Sequence, residues 1–149
     1  MLKLIRTDNT NVDFLSLVNL LDTNLKVTDG DEHDFYNQFN GVENIKFVIV
    51  AYLNDKLVGC GAIKHNQHKI MEVKRMFVSE VHRGKGIATQ ILKALELWAF
   101  ELGYEKCILE TGNRQKSAIA LYEKNGYQVI DNYDQYIGVV NSVCFGKVL

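Results

Sequence analysis

The 149-residue chain is 47% hydrophobic and 23% charged, carries a formal net charge of −1 and contains no stretch near the ~18 apolar residues a membrane span requires. A chain of this length fits one domain, residues 1–149, able to bury about 70% of its unfolded surface without covalent staples. Met1 to Thr10 lacks the apolar run and cleavage site of a signal peptide, so the expected compartment is the cytoplasm.

In chain order, residues 2–5 read as a short strand. Thr10-Asn11-Val12-Asp13 offers a helix N-cap with an acid three places on, and Phe14, Leu15, Leu17, Val18, Leu20, Leu21 and Leu25 follow at broadly helical spacing. A first helix is therefore expected from Asn11 to Leu25. A second, capped from Asp29-Gly30-Asp31, is expected over Glu32 to Phe39. Two apolar runs, Ile45 to Leu53 and Leu57 to Lys64, are joined by Asn54-Asp55-Lys56, which is hairpin chemistry. A further turn over His65 to His68 leads into a third strand, Ile70 to Val78. After a glycine loop, Ile91, Leu92, Leu95, Trp98, Ala99 and Leu102 form one apolar helical stripe that Gly103 stops. Lys106 to Glu110 reads as a strand, parallel to Ile70–Val78 because a helix crosses between them. Ser117 to Lys124 reads as a helix capped by Asn125-Gly126, and Tyr127–Ile130 with Ser142–Val148 as a closing strand pair. Proline is absent where average usage would give about seven, so Gly, Asn and Asp make the turns.

Cys60, Cys107 and Cys144 are odd in number and widely spaced, which suits buried reduced thiols rather than disulfides or a metal knuckle. The four histidines show no metal-binding spacing, and no metal site is expected. Residues 1–44 carry three basic and eight acidic side chains, a net charge of −5, against +4 for residues 45–149. Asp29, Asp31, Glu32 and Asp34 fit the acidic first turn of a helix, and equally an acidic surface that draws in a cationic substrate while the basic remainder holds an anionic cofactor. No basic stripe with interleaved aromatics favours nucleic acid.

Met71 to Gly103 carries the strongest pattern: an extended β-branched run, a loop with Gly84 and Gly86 around Lys85, and a long amphipathic helix. The helix N-terminus, with Ile87, Ala88 and Thr89 in its first turn, presents unpaired N–H groups and a positive dipole end to an anion. A structural turn would serve such a loop equally well. It is no Walker loop, since Lys85 is not followed by Ser or Thr. A dinucleotide fingerprint is nearly met, with Glu110 lying 24 residues beyond Gly86, but Thr89 replaces its third glycine.

The segment Arg83-Gly84-Lys85-Gly86-Ile87-Ala88, together with Ala118-Ile119-Ala120-Leu121-Tyr122-Glu123-Lys124-Asn125-Gly126-Tyr127, resembles the GNAT family of N-acetyltransferases. The resemblance spans about Leu57 to Tyr127. It implies an α/β (α+β) GNAT acyl-CoA N-acyltransferase fold: a mixed, mostly antiparallel sheet with helices on both faces, in which the Ile70–Val78 strand splays from Lys106–Glu110. It also implies acetyl-CoA as cofactor, with main-chain groups of Met76, Phe77 and Val78 pairing with pantetheine amides and Arg83, Gly84, Lys85, Gly86, Ile87, Ala88 and Thr89 at the pyrophosphate. Many members carry Asn where Gln115 stands here, and either Gln115 or nearby Asn113 is expected at the cofactor. Tyr122 is the implied general acid toward the coenzyme sulfur, or else a buried anchor for its helix. Glu72 is the candidate base, or else a strand glutamate paired with Lys74. A backbone N–H near Val78 would polarise the acetyl oxygen, and Cys144 has no histidine nearby in sequence to activate it. The expected partners are acetyl-CoA and an amine, with a homodimer allowed for. The acceptor pocket should come from Leu25–Asn40 and Asp131–Asn141, where Tyr133 and Tyr136 are candidate lid residues or, more simply, two surface tyrosines. The resulting expectation is direct acetyl transfer to a cationic primary amine, the rival being a non-catalytic acyl-CoA-binding module.

Overall fold

The computed structural model describes residues 1–30 and 41–149. The expected helix over Glu32–Phe39 lies outside the described residues, as do Asp31, Glu32 and Asp34. Seven strands form one sheet in the order β1-β2-β3-β4-β5-β7-β6: β1 (Leu2–Thr7), β2 (Phe47–Leu53), β3 (Lys56–Gln67), β4 (Ile70–Val78), β5 (Lys106–Gly112), β6 (Gln128–Ile130) and β7 (Ser142–Val148). Three α-helices are described, α1 (Val12–Asp29), α2 (Ile87–Glu101) and α3 (Lys116–Lys124). Every neighbouring pair of strands is antiparallel except β4 and β5.

Local chemistry explains most of the boundaries. The Asn11 side chain accepts the Phe14 N–H at 2.9 Å and so opens α1. The helix runs a turn beyond the expected Leu25, because nothing in Lys26–Asp29 breaks it and Gly30, at φ 59°, is the first residue suited to end it. Asp29 is therefore the last residue of α1. Asn54 and Asp55, with φ of 50° and 68°, form the two-residue turn between β2 and β3. Strand β3 keeps His65–Gln67, which were expected in a turn; the chain reverses at His68-Lys69, where Lys69 takes φ 63°.

Each face of the sheet has its own core. Phe14, Leu17 and Val18 of α1 pack on Val48, Val50, Cys60 and Ala62. On the opposite face Ile91, Leu92, Leu95 and Ala99 of α2 and Tyr122 of α3 pack with Ile49, Ile63, Val73, Leu109 and Phe145. All three cysteines are buried and free, as expected, and no helix among the described residues is long and apolar enough to cross a membrane.

Helix α2 lies close over β3 because Gly59 and Gly61 have no side chains there. A Cβ on Gly59 would come within 2.9 Å of the Phe77 carbonyl and 3.0 Å of Ile91 Cδ1. Backbone cannot yield cheaply in a close-packed interior. Gly59→Ala is expected to cost about 1–3 kcal/mol of stability, read as a lower urea midpoint with an unchanged slope.

Candidate active site

Strands β4 and β5 begin side by side and then part. Parallel pairing joins Ile70 to Lys106, Met71 to Cys107 and Glu72 to Ile108, and stops there. Beyond that point β5 stays bonded to β7 as far as Gly112. Strand β4 bends away through a bulge: Cys60 faces Phe77 and Ala62 faces Lys74, so Arg75 and Met76 share the single partner Gly61. Arg75 adopts φ 57°, a conformation that costs a non-glycine residue on the order of 1 kcal/mol. Its guanidinium is bonded to Asp22 of α1, and its carbonyl accepts the Cys60 thiol at 3.4 Å. The edge of Val73–Val78 on the β5 side therefore borders a gap.

A cavity of about 150 Å³ occupies this gap and reaches both faces of the sheet. In-register strand neighbours point to the same face. Glu72, opposite Lys64 and Ile108, thus shares its face with Lys74 and, two residues beyond Ile108, with Glu110. Val73 and Tyr122 line the cavity from the α2 and α3 side, whereas Asp29 and Tyr136 close it on the other. A second cavity of about 370 Å³ shares Glu72 and Lys74 and extends to Lys64, Asn66 and Asp134.

The charges in this gap are largely buried. Glu72 Oε2 accepts the Tyr133 hydroxyl at 2.7 Å, and Lys74 Nζ lies 3.9 Å from the same oxygen. Burial lowers the Lys74 pKa, and Glu72 opposes that shift. The Glu110 carboxylate accepts the Ser142 hydroxyl at 2.7 Å. Burial pushes it up to about 7, with Ser142 and Lys74 holding it down and Asp29 and Glu72 adding to the rise. The Tyr122 phenol is raised well above its ordinary value by burial, reinforced by Glu110.

The structure brings several of the sequence-selected residues together at this gap: Glu72, Met76, Gln115 and Tyr122 all line the cavity. Phe77 and Val78 end β4, and Val78 O accepts Arg83 Nε at 2.8 Å, so Arg83 braces the strand end against the loop. Gly84 and Gly86 both take φ 78°, and a Cβ on either would meet nothing within 4 Å. Glycine there answers a backbone requirement and leaves the approach to the α2 N-terminus clear. Lys85 is exposed in this loop; Ile87 is buried and Ala88 packs against the core. Thr89 Oγ1 accepts Asn125 Nδ2 at 3.4 Å. Asn113 is exposed and tied to Asn141, its N–H to the Asn141 carbonyl at 2.8 Å. Of the two candidate residues, Gln115 is therefore the one at the cavity. Tyr133 and Tyr136 are internal: Tyr136 is buried and Tyr133 is bonded to Glu72. Among the described residues no group of histidine, cysteine and acid side chains is placed to hold a metal.

Sequence reasoning noticed Glu110 only as the acid of a dinucleotide site, named Lys74 only as an ion-pair partner for Glu72, which it is at 3.9 Å, and did not select Ser142. One signal was available, a lone acid in the otherwise apolar strand Cys107-Ile108-Leu109-Glu110. Asp29 was singled out only within an acidic run, as a helix's first turn or a charged surface, and the structure sets it in the cavity wall, accepting Gln115 Nε2 at 3.4 Å.

Residues 14–127 match the sequence model of the acetyltransferase (GNAT) family. The chain is 38% identical over 101 residues to YsnE of Bacillus subtilis, an uncharacterized N-acetyltransferase, a match covering 66% of this chain and 67% of that protein. It spans 44% and 55% of the length of two further curated relatives. A crystal structure from Klebsiella pneumoniae, described as an acyl-CoA N-acyltransferase, superimposes with a TM-score of 0.81 at 30% identity, covering 100% of this chain and 98% of that one. A GNAT family acetyltransferase from Elizabethkingia anophelis with acetyl-CoA bound shares the fold at 19% identity, with a TM-score of 0.73 over 99% of this chain and 98% of its own.

The Glu110 environment also has a consequence for stability. Its folded-state pKa of about 7 exceeds the ordinary 4.5. The residue is therefore fully tolerated below pH 4.5 and destabilises the fold as pH rises through 7. Glu110→Gln is expected to raise the melting temperature at pH 8, by the equivalent of about 1–3 kcal/mol, and to change it far less at pH 5. Thermal unfolding of both proteins at the two pH values checks this.

Proposed function

The chain belongs to the acetyltransferase (GNAT) family, and on that premise we propose that it transfers an acetyl group from acetyl-CoA directly to a primary amine of a small molecule or peptide. The observation that carries this reading is the gap beside β4, which is open to both faces of the sheet. A thioester can enter from the α2 and α3 side and an amine from the α1 side, meeting between Tyr122 and Glu72. The glycine loop fits the coenzyme pyrophosphate, because bare backbone at the start of a 15-residue helix offers N–H donors with no side chain in the way. The open edge of Met76–Val78 suits pantetheine amides, which would add to the strand as a peptide does, and an N–H near Val78 would polarise the acetyl oxygen. Gln115, on the cavity wall, is the better placed of the two amide side chains to meet the cofactor.

Amide formation requires a neutral amine, a polarised carbonyl and a proton for the departing thiolate. A lysine-like amine of pKa ~10.4 needs about 4–5 kcal/mol to be neutral at pH 7. A base on its path can take that proton: Glu72 receives the ammonium and begins its deprotonation, while the negative potential of Asp29 and Glu110 draws a cation into the gap. This favours an acceptor that arrives as a cation, and it rests on buried residues of the gap rather than on the acidic run the sequence presents. Tyr122, protonated throughout the neutral range, donates to the coenzyme sulfur. The three reduced, buried cysteines suit a cytoplasmic setting.

A binding module would need the glycine loop but not the phenol. Tyr122→Phe is therefore expected to lower kcat about 10²–10³-fold while calorimetry shows acetyl-CoA binding unchanged. Unchanged turnover would remove the acid role, and wild-type protein that binds acetyl-CoA but releases no thiol with any amine would favour the module. Thiol release across polyamines, amino acids, aminoglycosides and peptides should be fastest with cationic amines; preference for neutral or acidic ones would overturn that part of the reading.

A further inference from the structure

We infer that Lys74, on β4, is itself an acceptor: when no amine occupies the gap, the protein transfers an acetyl group from acetyl-CoA to the Lys74 ε-amine. This rests on the acetyl-transfer reading and adds a modification site within the same gap.

The position of Lys74 carries the inference. It lines both cavities, sharing the smaller one with Glu72 and Tyr122. Its cross-strand partner Ala62 packs in the core beneath α1, so the lysine leaves β4 toward α1, the side from which an amine would enter. The glycine loop follows the end of β4. On the acetyl-transfer reading, a coenzyme anchored at that loop and paired along Val78–Met76 therefore runs back down the strand. Its thioester then emerges at the bulge of Arg75 and Met76, and Lys74 is the residue next to that bulge. The chain thus holds a primary amine of its own where the acceptor's amine is to meet the thioester.

The surroundings suit an amine that must lose a proton. Only 9% of the Lys74 side chain is exposed, and its Nζ lies 3.9 Å from Glu72 Oε2. That is longer than a hydrogen bond, but a small movement of either side chain closes it. Burial lowers the Lys74 pKa, with Lys64 and Arg75 adding to the fall and Glu72 and Glu110 opposing it. A lysine so placed is neutral more often at a given pH than one in water. Among the described residues no other lysine lines the smaller cavity. Lys85, in the glycine loop, is exposed and serves as the comparison.

Atoms and charges balance as they would for a free amine. The Lys74 ammonium gives one proton to the Glu72 carboxylate. The neutral nitrogen bonds to the acetyl carbon, and the carbon–sulfur bond breaks. The departing sulfur takes the Tyr122 proton, and the phenolate takes the second proton from nitrogen. Glu72 then releases its proton to solvent, so each thioester yields one acetyl-lysine, one free thiol and one proton. The product has lost its positive charge. Glu72 is left without that buried cation, and the added acetyl group takes up room in a cavity of about 150 Å³. Acetylated protein is therefore the poorer catalyst, and a supply of amine keeps it from forming.

The test is to incubate the full chain with acetyl-CoA at pH 8 without an amine and to map the acetylated lysines by mass spectrometry over time. Lys74 is expected to gain one acetyl group about tenfold faster than Lys85, or more, and turnover of the fastest amine of the panel should fall in step. That amine, present at saturation, should protect Lys74 and leave Lys85 unaffected. Tyr122→Phe should slow Lys74 acetylation and amine turnover by the same factor, with Lys85 unchanged. The wild-type map decides even if the variant folds poorly. Lys74 acetylated no faster than Lys85, Lys74 unprotected by the amine, or Lys74 acetylation undiminished in a Tyr122→Phe protein whose amine turnover has fallen overturns the assignment. A protein that acetylates amines and leaves Lys74 bare overturns this inference alone. One that transfers acetyl to neither defeats the acetyl-transfer reading, and this assignment with it.

Discussion

The whole site depends on one interruption of backbone hydrogen bonding. A parallel pair of strands buried on both faces would normally continue until one strand ran out, since each unpaired buried amide or carbonyl costs free energy. Here β4 and β5 share only three register positions. Two contacts maintain the separation. Strand β7 holds β5 through seven register positions from Lys106 to Gly112, so β5 does not follow β4. The bulge at Arg75 and Met76, fixed by the Arg75 contacts to α1 and to Cys60, turns β4 the other way. The resulting edge of β4, beyond Glu72, is left without a ladder to β5.

Electrostatics follows from that geometry. Parting the strands brings one face of each to a common cavity, and the side chains there are Glu72, Lys74 and Glu110, joined by Asp29. Such groups raise the free energy of a fold when they lose water, even when paired. The rest of the sheet compensates with a dense apolar core on each side, where Phe14, Ile49, Ile63, Leu92, Leu95 and Phe145 are essentially inaccessible. Stability and chemistry are thus divided between neighbouring residues of one strand. Val73 joins the α2 core and the cavity wall on that side while Glu72 and Lys74 face the cavity from the α1 side, and Leu109 stands beside Glu110 in the same alternation.

Much of this was legible in the residues. The ranges Ile70–Val78 and Ser142–Val148 could be read to the residue, because β-branched runs bounded by turn formers leave little freedom. The parallel pairing followed from the intervening helix. The glycine loop announced itself through two residues whose φ only glycine adopts at little cost. What could not be read depends on contacts distant in sequence. The bulge at Arg75 has no local signal, since it exists only relative to β3 and is fixed by Asp22, 53 residues away. The fate of Asp29 depended on whether α1 would continue past Leu25, and its acidity, which suits a first turn and not a last one, pointed the other way. Glu110 looked like any strand-end acid until the register set it on the same face as Glu72.

The end of α1 shows how the two halves of the site are kept in step. Arg114 Nη1 donates to the Asp29 carbonyl at 3.0 Å, satisfying a carbonyl that a helix C-terminus leaves without a partner. Gln115 Nε2 reaches the Asp29 carboxylate. Arg114 and Gln115 immediately precede α3, which carries Tyr122. On the proposed reading, the helix that walls the amine side is bonded to the start of the helix that would supply the proton on the thioester side. On that reading such contacts would set the spacing of the two reactants in advance, and correct placement is worth several kcal/mol in a reaction between two bound molecules. On this account Asp29 contributes through its backbone carbonyl and its carboxylate at once. A substitution that kept the charge but moved the helix end would disturb the approach of amine to thioester even though it touched neither Glu72 nor Tyr122.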